Sequence, residues 1–190
     1  MLFVLSAPSG SGKTTIARRV LPMFASLSFS VSATTRARRP RETDGVDYHF
    51  LTVEDFLARV KAEAFAEWEE IFGCYYGTLR SEIDRANGEG RHLLFDVDVK
   101  GALSIKQSYP EDSVLIFIKP PDLDTLRQRL EHRGSESQEI IERRISRAAW
   151  ELEQASLFDH VVVNDDLARS VPLVASLIAA SIEDHVVRTK

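Results

Sequence analysis

Residues 1–15 read MLFVLSAPSGSGKTT, and the main fold signal of the chain lies in this stretch. Leu2 to Leu5 form a continuous apolar run, which is typical of a strand buried on both faces. A turn rich in serine and glycine follows, and a segment with helical spacing of its apolar residues then runs to about Leu21. A buried strand that leads through a tight turn into a helix predicts the first unit of an α/β fold with a parallel sheet.

The turn itself predicts a phosphate-binding loop. It reads Ala7-Pro8-Ser9-Gly10-Ser11-Gly12-Lys13-Thr14, followed by Thr15, and it matches the Walker A pattern except that alanine stands at the first glycine position. Small residues allow several backbone N–H groups to converge on phosphate oxygens at a helix N-terminus. In this pattern the lysine reaches the β- and γ-phosphates and the Thr14 hydroxyl holds Mg²⁺. A turn that merely joins a strand to a helix is the alternative, but the position between a buried strand and a helix favours phosphate binding.

Further strands and helices alternate along the rest of the chain. Apolar runs that predict strands lie at His92–Val97, Val114–Ile118 and His160–Val163. Helical patterns begin at Asp122 and Asp124 and run through Leu130, span Ile140 to about Gln154, and begin again at Ser170 and Pro172. This alternation predicts α/β architecture with a central parallel sheet.

Two segments interrupt the alternation. Between Ser28 and Gly77 the pattern changes to a strand-like Tyr48–Leu51 and a helix capped by Thr52, which predicts an inserted subdomain. The polar stretch Arg133–Glu139 separates two charged helices and predicts a mobile hairpin.

Two carboxylates follow a predicted core strand, at Asp96 and Asp98. Ligands bind at the carboxyl ends of parallel strands, so we expect Asp96 to contribute to a magnesium site with Thr14, and Asp98 to reach a second substrate. A solvated strand end is the alternative.

An arginine cluster lies in the inserted segment, where four arginines occupy the six positions from Arg36 to Arg41. One guanidinium group can bind two phosphate oxygens at once, so the cluster predicts a site for a second anionic substrate. A solvated basic loop or a patch that contacts RNA would show the same composition.

Composition limits the remaining classes of function. The net charge of −5 argues against a surface that binds nucleic acid, since such a surface needs a net basic face. Cys74 is the single cysteine, and no Cys/His spacing indicates zinc, so we expect a reducing compartment, the cytoplasm. The run Met1–Leu5 is too short for a signal peptide. Val171–Ala180 is about half the ~20 residues that a membrane helix needs, so no membrane association is expected.

Several further motifs occur together in a fixed order: Ser30–Arg36, Asp47-Tyr48, Phe65–Trp68, Tyr75–Thr78, Asp96–Asp98, Arg133-Gly134 and Asn164–Asp166. In this order and spacing they resemble the guanylate kinase family over essentially the whole chain. The resemblance implies an ATP:GMP phosphotransferase with Mg²⁺ as cofactor and ATP and GMP, and also dGMP, as substrates, as a monomer or homo-oligomer. It implies a P-loop three-layer sandwich with a core at residues 1–31, 83–122 and 151–190, a mixed α+β GMP-binding subdomain at 32–82 and a helical lid at 123–150.

The resemblance also implies roles for individual residues. Arg36, Arg39, Tyr48 and Tyr76 would bind the GMP phosphate; Ser32, Glu67 and Thr78 would read the guanine; Arg133 and Arg144 would bind the ATP phosphates, and Asn164 would lie in the adenine region. Thr78 stands where many members have serine, and both residues carry a hydroxyl. Lys13 and the four arginines Arg36, Arg39, Arg133 and Arg144 would carry the catalysis.

The chemistry of the guanine base fits Glu67 independently. Guanine presents N1–H and an exocyclic amine as adjacent donors, so one carboxylate can accept both, whereas adenine offers an acceptor at N1. A site built for those donors rejects an analogue that lacks them by ~10⁴ or more. A solvated acid beside Trp68 is the alternative when the residue is considered alone.

The helices on either side of the polar hairpin carry arginines at helical spacing, Arg129 with Arg133 and Arg144 with Arg147. Such pairs suit a flap that closes over phosphates, although helical arginines more often form surface ion pairs with nearby glutamates.

The residues are also compatible with three other functions: a non-catalytic interaction module of the same fold, a kinase for a sugar phosphate, and an NTPase that hydrolyses ATP. Lys13-Thr14 and the lid arginines argue against the first, and the Ser32–Arg39 block with Glu67 would be unnecessary in the other two.

Overall fold

The computed structural model describes residues 1–71, 73–132 and 138–188. Nine strands lie in this part of the chain: β1 (Leu2–Ser6), β2 (Leu27–Phe29), β3 (Ala33–Thr34), β4 (His49–Phe50), β5 (Phe65–Ile71), β6 (Cys74–Leu79), β7 (His92–Asp96), β8 (Ser113–Lys119) and β9 (His160–Val163). Seven α-helices accompany them: α1 (Lys13–Val20), α2 (Val53–Lys61), α3 (Arg80–Gly88), α4 (Val99–Ser108), α5 (Leu123–His132), α6 (Gln138–Glu153) and α7 (Leu167–Arg188).

A five-stranded parallel sheet forms the centre of the molecule, in the order β2-β7-β1-β8-β9. The fold class expected from the sequence is therefore confirmed. β1 is buried along its whole length because helices cover both faces of the sheet. Leu2 and Val4 pack with α3 and α4, whereas Phe3 and Leu5 pack with α1 and α7. This arrangement gives three layers, with the carboxyl ends of β1 and β7 side by side.

A second sheet of four strands has the order β4-β3-β6-β5. It is mixed, since β3 pairs parallel to β4 but antiparallel to β6. α2 covers it through Phe56, which stacks on Phe65 with ring centroids 4.3 Å apart and on Tyr75 at 5.4 Å. This small aromatic core packs α2 against β5 and β6 of the second sheet.

The last helix differs from the sequence expectation in where it begins. α7 begins at Leu167, before the predicted Ser170, because the Asp166 carboxylate accepts a hydrogen bond from the Ala168 N–H at 2.8 Å and caps the first turn. By length and composition alone α7 could cross a membrane, which the short apolar stretch within it did not suggest. Val174 and Ile178 of this helix pack into the core against the central sheet.

Candidate active site

The loop that follows β1 has the backbone form of a phosphate cradle. Gly10 and Gly12 adopt φ angles of 99° and 89°, in the left-handed region that favours glycine. The Ser11 N–H donates to the Pro8 carbonyl at 3.0 Å, which tightens the loop before α1 begins at Lys13. A Cβ atom at Gly12 would lie 2.4 Å from Asn164 Nδ2, so close approach as well as φ requires glycine there.

Asn164 braces the loop from the neighbouring strand end. Its side chain is buried, and its Nδ2 donates to the Ser11 carbonyl at 2.7 Å. Its backbone N–H donates to the Lys119 carbonyl at 2.7 Å, and its own carbonyl accepts from Arg129 at 3.1 Å. Asn164 therefore links β8, α5 and the loop.

The carboxylate of Asp96 lies between the first two residues of α1. Lys13 Nζ forms an ion pair with Asp96 Oδ1 at 2.6 Å and donates to the Val97 carbonyl at 2.6 Å. The Thr14 hydroxyl donates to Asp96 Oδ2 at 2.7 Å. A hydroxyl and a carboxylate at a phosphate loop are hard oxygen ligands, which suit Mg²⁺ with waters and phosphates as its other ligands. No group of three or more His, Cys, Asp or Glu side chains that could hold a metal on its own occurs among the described residues.

Two adjoining cavities lie at this edge of the sheet. The larger has a volume of about 340 Å³ and is lined by most of the phosphate loop, Arg36, Arg39, Tyr48, Tyr76, Arg144 and Arg147. The smaller has a volume of about 180 Å³ and is lined by Ser32, Glu67, Glu69 and Gly77. Lys13, Asp96 and Asp98 line both cavities, so a charged junction connects them.

Glu67 is the buried acid of the smaller cavity. It is 8% exposed, and its Oε1 accepts a hydrogen bond from the Thr78 hydroxyl at 2.7 Å. Burial raises the pKa of Glu67 to about 7, although the Thr78 hydrogen bond opposes this shift. Thr78 is itself completely buried and lies behind the carboxylate, so its hydroxyl orients Glu67.

The arginine cluster contains an internal counter-charge that the sequence reading missed. Arg36 Nη2 contacts Glu42 Oε1 at 2.7 Å, and the Arg39 backbone N–H donates to Glu42 Oε2 at 2.8 Å. The hydrogen bond from Arg36 holds the pKa of Glu42 below its usual range. Arg36 also lies over the Tyr48 ring at 5.3 Å from its centroid, and Tyr48 meets Tyr76 edge to face at 6.3 Å. These contacts gather Arg36, Tyr48 and Tyr76, whereas the Arg39 side chain is 71% exposed.

Helix α6 lines the larger cavity and contacts two acids of the smaller one. Arg144 Nη1 donates to the Ser9 hydroxyl at 2.5 Å, and Arg147 Nη2 contacts Asp98 Oδ2 at 2.7 Å. Asp98 also caps α4, because its Oδ1 accepts from the Gly101 N–H at 2.9 Å. Arg147 also forms an ion pair with Glu151, which is the ion pairing that the sequence analysis gave as the alternative to a flap. Glu142 forms an ion pair with Arg127. Arg133 and most of the hairpin predicted at Arg133–Glu139 lie outside the described residues.

Known proteins match this chain closely. Residues 1–181 match a family model described as guanylate kinase. A guanylate kinase of Chlorobaculum tepidum is 51% identical over 178 residues, which cover 94% of this chain and 91% of that protein. One of Salinibacter ruber is 53% identical over 172 residues, 90% of each chain. The crystal structure of guanylate kinase from Anaplasma phagocytophilum superposes with a TM-score of 0.78 at 30% identity, covering 95% of this chain and 85% of that one.

Proposed function

This chain belongs to the guanylate kinase family and transfers a phosphoryl group from ATP to GMP, and we propose that its two cavities hold these two substrates tail to tail. The observation that carries the proposal is the junction between the cavities. Lys13, Asp96 and Asp98 line both of them, so the phosphates of two nucleotides bound there would meet beside the lysine.

The phosphate loop holds ATP in this proposal. The loop from Ala7 to Thr15 surrounds the phosphates with the backbone N–H groups that follow Pro8, and Lys13 exchanges its contact with Asp96 for the β- and γ-phosphates. Arg144 already lies at Ser9 of the loop, and with Arg133 it neutralises the ATP phosphates. The hydrogen bond from Asn164 to Ser11 keeps the phosphate loop in its binding conformation. We propose that the adenine lies near Asn164, at the end of β9.

Thr14 and Asp96 would hold Mg²⁺, since their hydroxyl and carboxylate oxygens are already adjacent. The metal would supply charge neutralisation at the transferring phosphoryl group.

The arginine cluster binds the phosphate of GMP. Arg36 exchanges the carboxylate of Glu42 for phosphate oxygens, which offer the same anionic acceptor geometry. Tyr48 and Tyr76, which line both cavities, donate hydrogen bonds from their hydroxyl groups, and the exposed side chain of Arg39 turns in from solvent. This set brings the acceptor phosphate to the junction of the two cavities.

Glu67 reads the guanine in the smaller cavity. Its carboxylate accepts from N1–H and the exocyclic amine, with Thr78 fixing its orientation and Ser32 and Asp98 supplying the remaining polar contacts. Because Glu67 is buried, a base without those two donors would leave its charge unpaired.

The chemical step is a direct in-line attack by a GMP phosphate oxygen on the γ-phosphorus of ATP, with ADP as the leaving group. The second ionisation of a phosphate monoester lies near pH 6, so the nucleophile is already charged at neutral pH and needs no general base. The residues therefore act by alignment and by neutralising charge, with Lys13, Arg36, Arg39, Arg133 and Arg144 in the catalytic roles.

We propose that the chain is divided into a core of residues 1–31, 83–122 and 151–190, a GMP-binding subdomain of residues 32–82 and a lid of residues 123–150. We also propose that the protein is located in the cytoplasm.

The test is release of ADP, coupled to a spectroscopic readout, with GMP, dGMP, AMP, CMP or UMP as acceptor, with and without Mg²⁺. We expect turnover with GMP and dGMP that depends on Mg²⁺, and at least ~10³-fold lower kcat/KM with the other three. Lys13→Ala is the matched inactive control, and a thermal melt checks that it folds. Equal turnover with AMP, or ADP release without any acceptor, would contradict the proposed division of the two cavities and favour an NTPase.

A further inference from the structure

Helix α6 contacts the donor side and the acceptor side of the site from one face. Arg144 donates to Ser9 of the phosphate loop at 2.5 Å, and Arg147, three residues later, contacts Asp98 at 2.7 Å. Residues three apart lie on the same side of a helix, one turn from each other. Any shift of α6 therefore moves both guanidinium groups together.

A second acid of the smaller cavity joins this contact. Glu69 lies two residues after Glu67 on β5, so both side chains point to the same face of the strand, and both line the smaller cavity. Glu69 Oε2 is 3.6 Å from Arg147 Nη2, and its Oε1 is 2.9 Å from Lys100 Nζ on α4. Glu69 thus ties α6 and α4 to the acceptor cavity.

The guanidinium group of Arg147 compensates the charge of three neighbouring carboxylates. Asp98, Glu69 and Glu151 all contact this one guanidinium, whose side chain is 25% exposed. Removal of one partner from a partly buried ionic cluster leaves the other charges uncompensated. Burial and the neighbouring Asp98 raise the pKa of Glu69 to about 7, as expected where acids crowd together.

We propose that Arg147, held by Asp98 and Glu69, is a positioning residue that couples occupancy of the acceptor cavity to the placement of Arg144 at the phosphate loop. The inference rests on the proposed function, because it requires GMP in the smaller cavity. A bound guanine adds a contact to Asp98, whose carboxylate already caps α4 and holds Arg147, and α6 then keeps Arg144 beside the donor phosphates. Because coupling between two sites is reciprocal, a donor nucleotide also tightens the binding of GMP.

The test is calorimetric titration of GMP into the full-length protein, alone and saturated with AMPPNP and Mg²⁺. We expect the ATP analogue to tighten GMP binding at least about fivefold in the wild type. Arg147→Gln should bring the ratio of the two Kd values to within about twofold of one, because the helix no longer senses the acceptor. Arg147→Lys should restore part of the ratio, since it keeps the charge but loses the forked geometry.

Arg143→Gln is the matched control on the same helix. Arg143 pairs with Glu139 on the exposed surface, four residues apart, so its loss should leave the ratio unchanged. Steady-state kinetics supply a second readout: Arg147→Gln should raise the KM for GMP more than it lowers kcat at saturating substrates.

Two results would overturn the inference: a wild-type ratio of one, or an unchanged ratio in Arg147→Gln. If Arg147→Gln does not fold, Glu69→Gln takes its place, because Glu69 holds Arg147 in the proposal, and a full wild-type ratio in that variant would overturn the inference. A wild type that binds no GMP under either condition would instead contradict the proposed function.

Discussion

In the proposed function, the buried side chain of Glu67 sets acceptor choice. Its carboxylate faces the smaller cavity and is held by Thr78, and burial raises its pKa to about 7. The ionised form is the one that can accept both guanine donors. Acceptor binding by the free enzyme should therefore depend on pH close to neutrality.

We predict that Glu67→Gln raises the KM for GMP by about 10²-fold or more and leaves the KM for ATP nearly unchanged, because the amide presents a donor to the guanine amine. In the wild type the KM for GMP should rise as the pH falls below about 7, and the variant should lose the part of this rise that belongs to Glu67 and keep the part that comes from protonation of the GMP phosphate near pH 6. Initial-rate kinetics from pH 5.5 to 8.5 would measure both effects.

Glu70→Gln is the control for that experiment, since Glu70 lies on the exposed face of the same strand. It should behave as the wild type at every pH. A GMP KM in Glu67→Gln that matches this control would remove Glu67 from base recognition.

At the same scale, the sequence predicts residue types at motif positions better than it predicts their partners. Lys13, Thr14 and Asp96 were expected at one site, and their side chains are in contact. Glu42, Glu69 and Lys100 gave no signal, because a charged residue whose partner lies across a loop or on another element looks like any surface charge in a linear sequence. The turn of the segment between β3 and β4 brings Glu42 to Arg36, and the position of α4 beside β5 brings Lys100 to Glu69.

Among the elements, α2 depends on a cap that the sequence did identify. The Thr52 hydroxyl accepts a hydrogen bond from the Asp55 N–H at 3.1 Å, and Phe56 in the next turn is completely buried in the small aromatic core. The cap therefore supports the helix that covers the second sheet.

Thr52→Ala should cost about 1 kcal/mol of unfolding free energy because the first turn loses this acceptor. For a chain of this size that corresponds to a fall in Tm of about 2–4 °C, measurable by calorimetry. Thr52→Ser keeps the hydroxyl and should restore most of the loss. If the alanine and serine variants melt together, the cap contributes nothing measurable.

Strands were predictable where apolar runs are long and hard to predict where pairing defines them. β1, β7, β8 and β9 follow continuous apolar runs and were predicted within a residue or so. β4 lies within the predicted strand-like Tyr48–Leu51, whereas β3 is two residues long and exists only through its partners in the second sheet, so no local pattern marks it. The start of α7 was placed too late because Pro172, a common first-turn residue, lies inside this helix while Asp166 supplies the cap.

For the whole molecule, the buried acids of the site lower the free energy of unfolding by an amount that depends on pH. Burial raises the pKa of Glu67, of Glu69 and of Glu151 above the ordinary value of 4.5, to about 7 for the first two. Between about pH 4.5 and 7 the folded protein therefore binds more protons at these groups than the unfolded chain does. Their contribution to the free energy of unfolding falls as the pH rises through that window. The lowered pKa of His92 acts with the opposite sign, so a variant comparison is needed to isolate the acids.

We predict that Glu67→Gln is stabilised relative to the wild type at pH 8, by up to about 3 kcal/mol, and by much less at pH 5. Urea denaturation of both proteins without nucleotide at the two pH values would measure the difference. Parallel stability curves from pH 5 to 8 would show that burial of this acid has no energetic cost.

The central position of β1 affects how readily the backbone beside the phosphate loop opens. β7 and β8 pair with it on both sides, so its amides can exchange with deuterated water only when the middle of the sheet opens. β2 and β9 form the two margins and can fray without disturbing it. The phosphate loop is thus attached at β1 to backbone that we expect to exchange slowly, whereas Asn164, which follows the marginal strand β9, ties Ser11 of the loop to backbone that can open more readily.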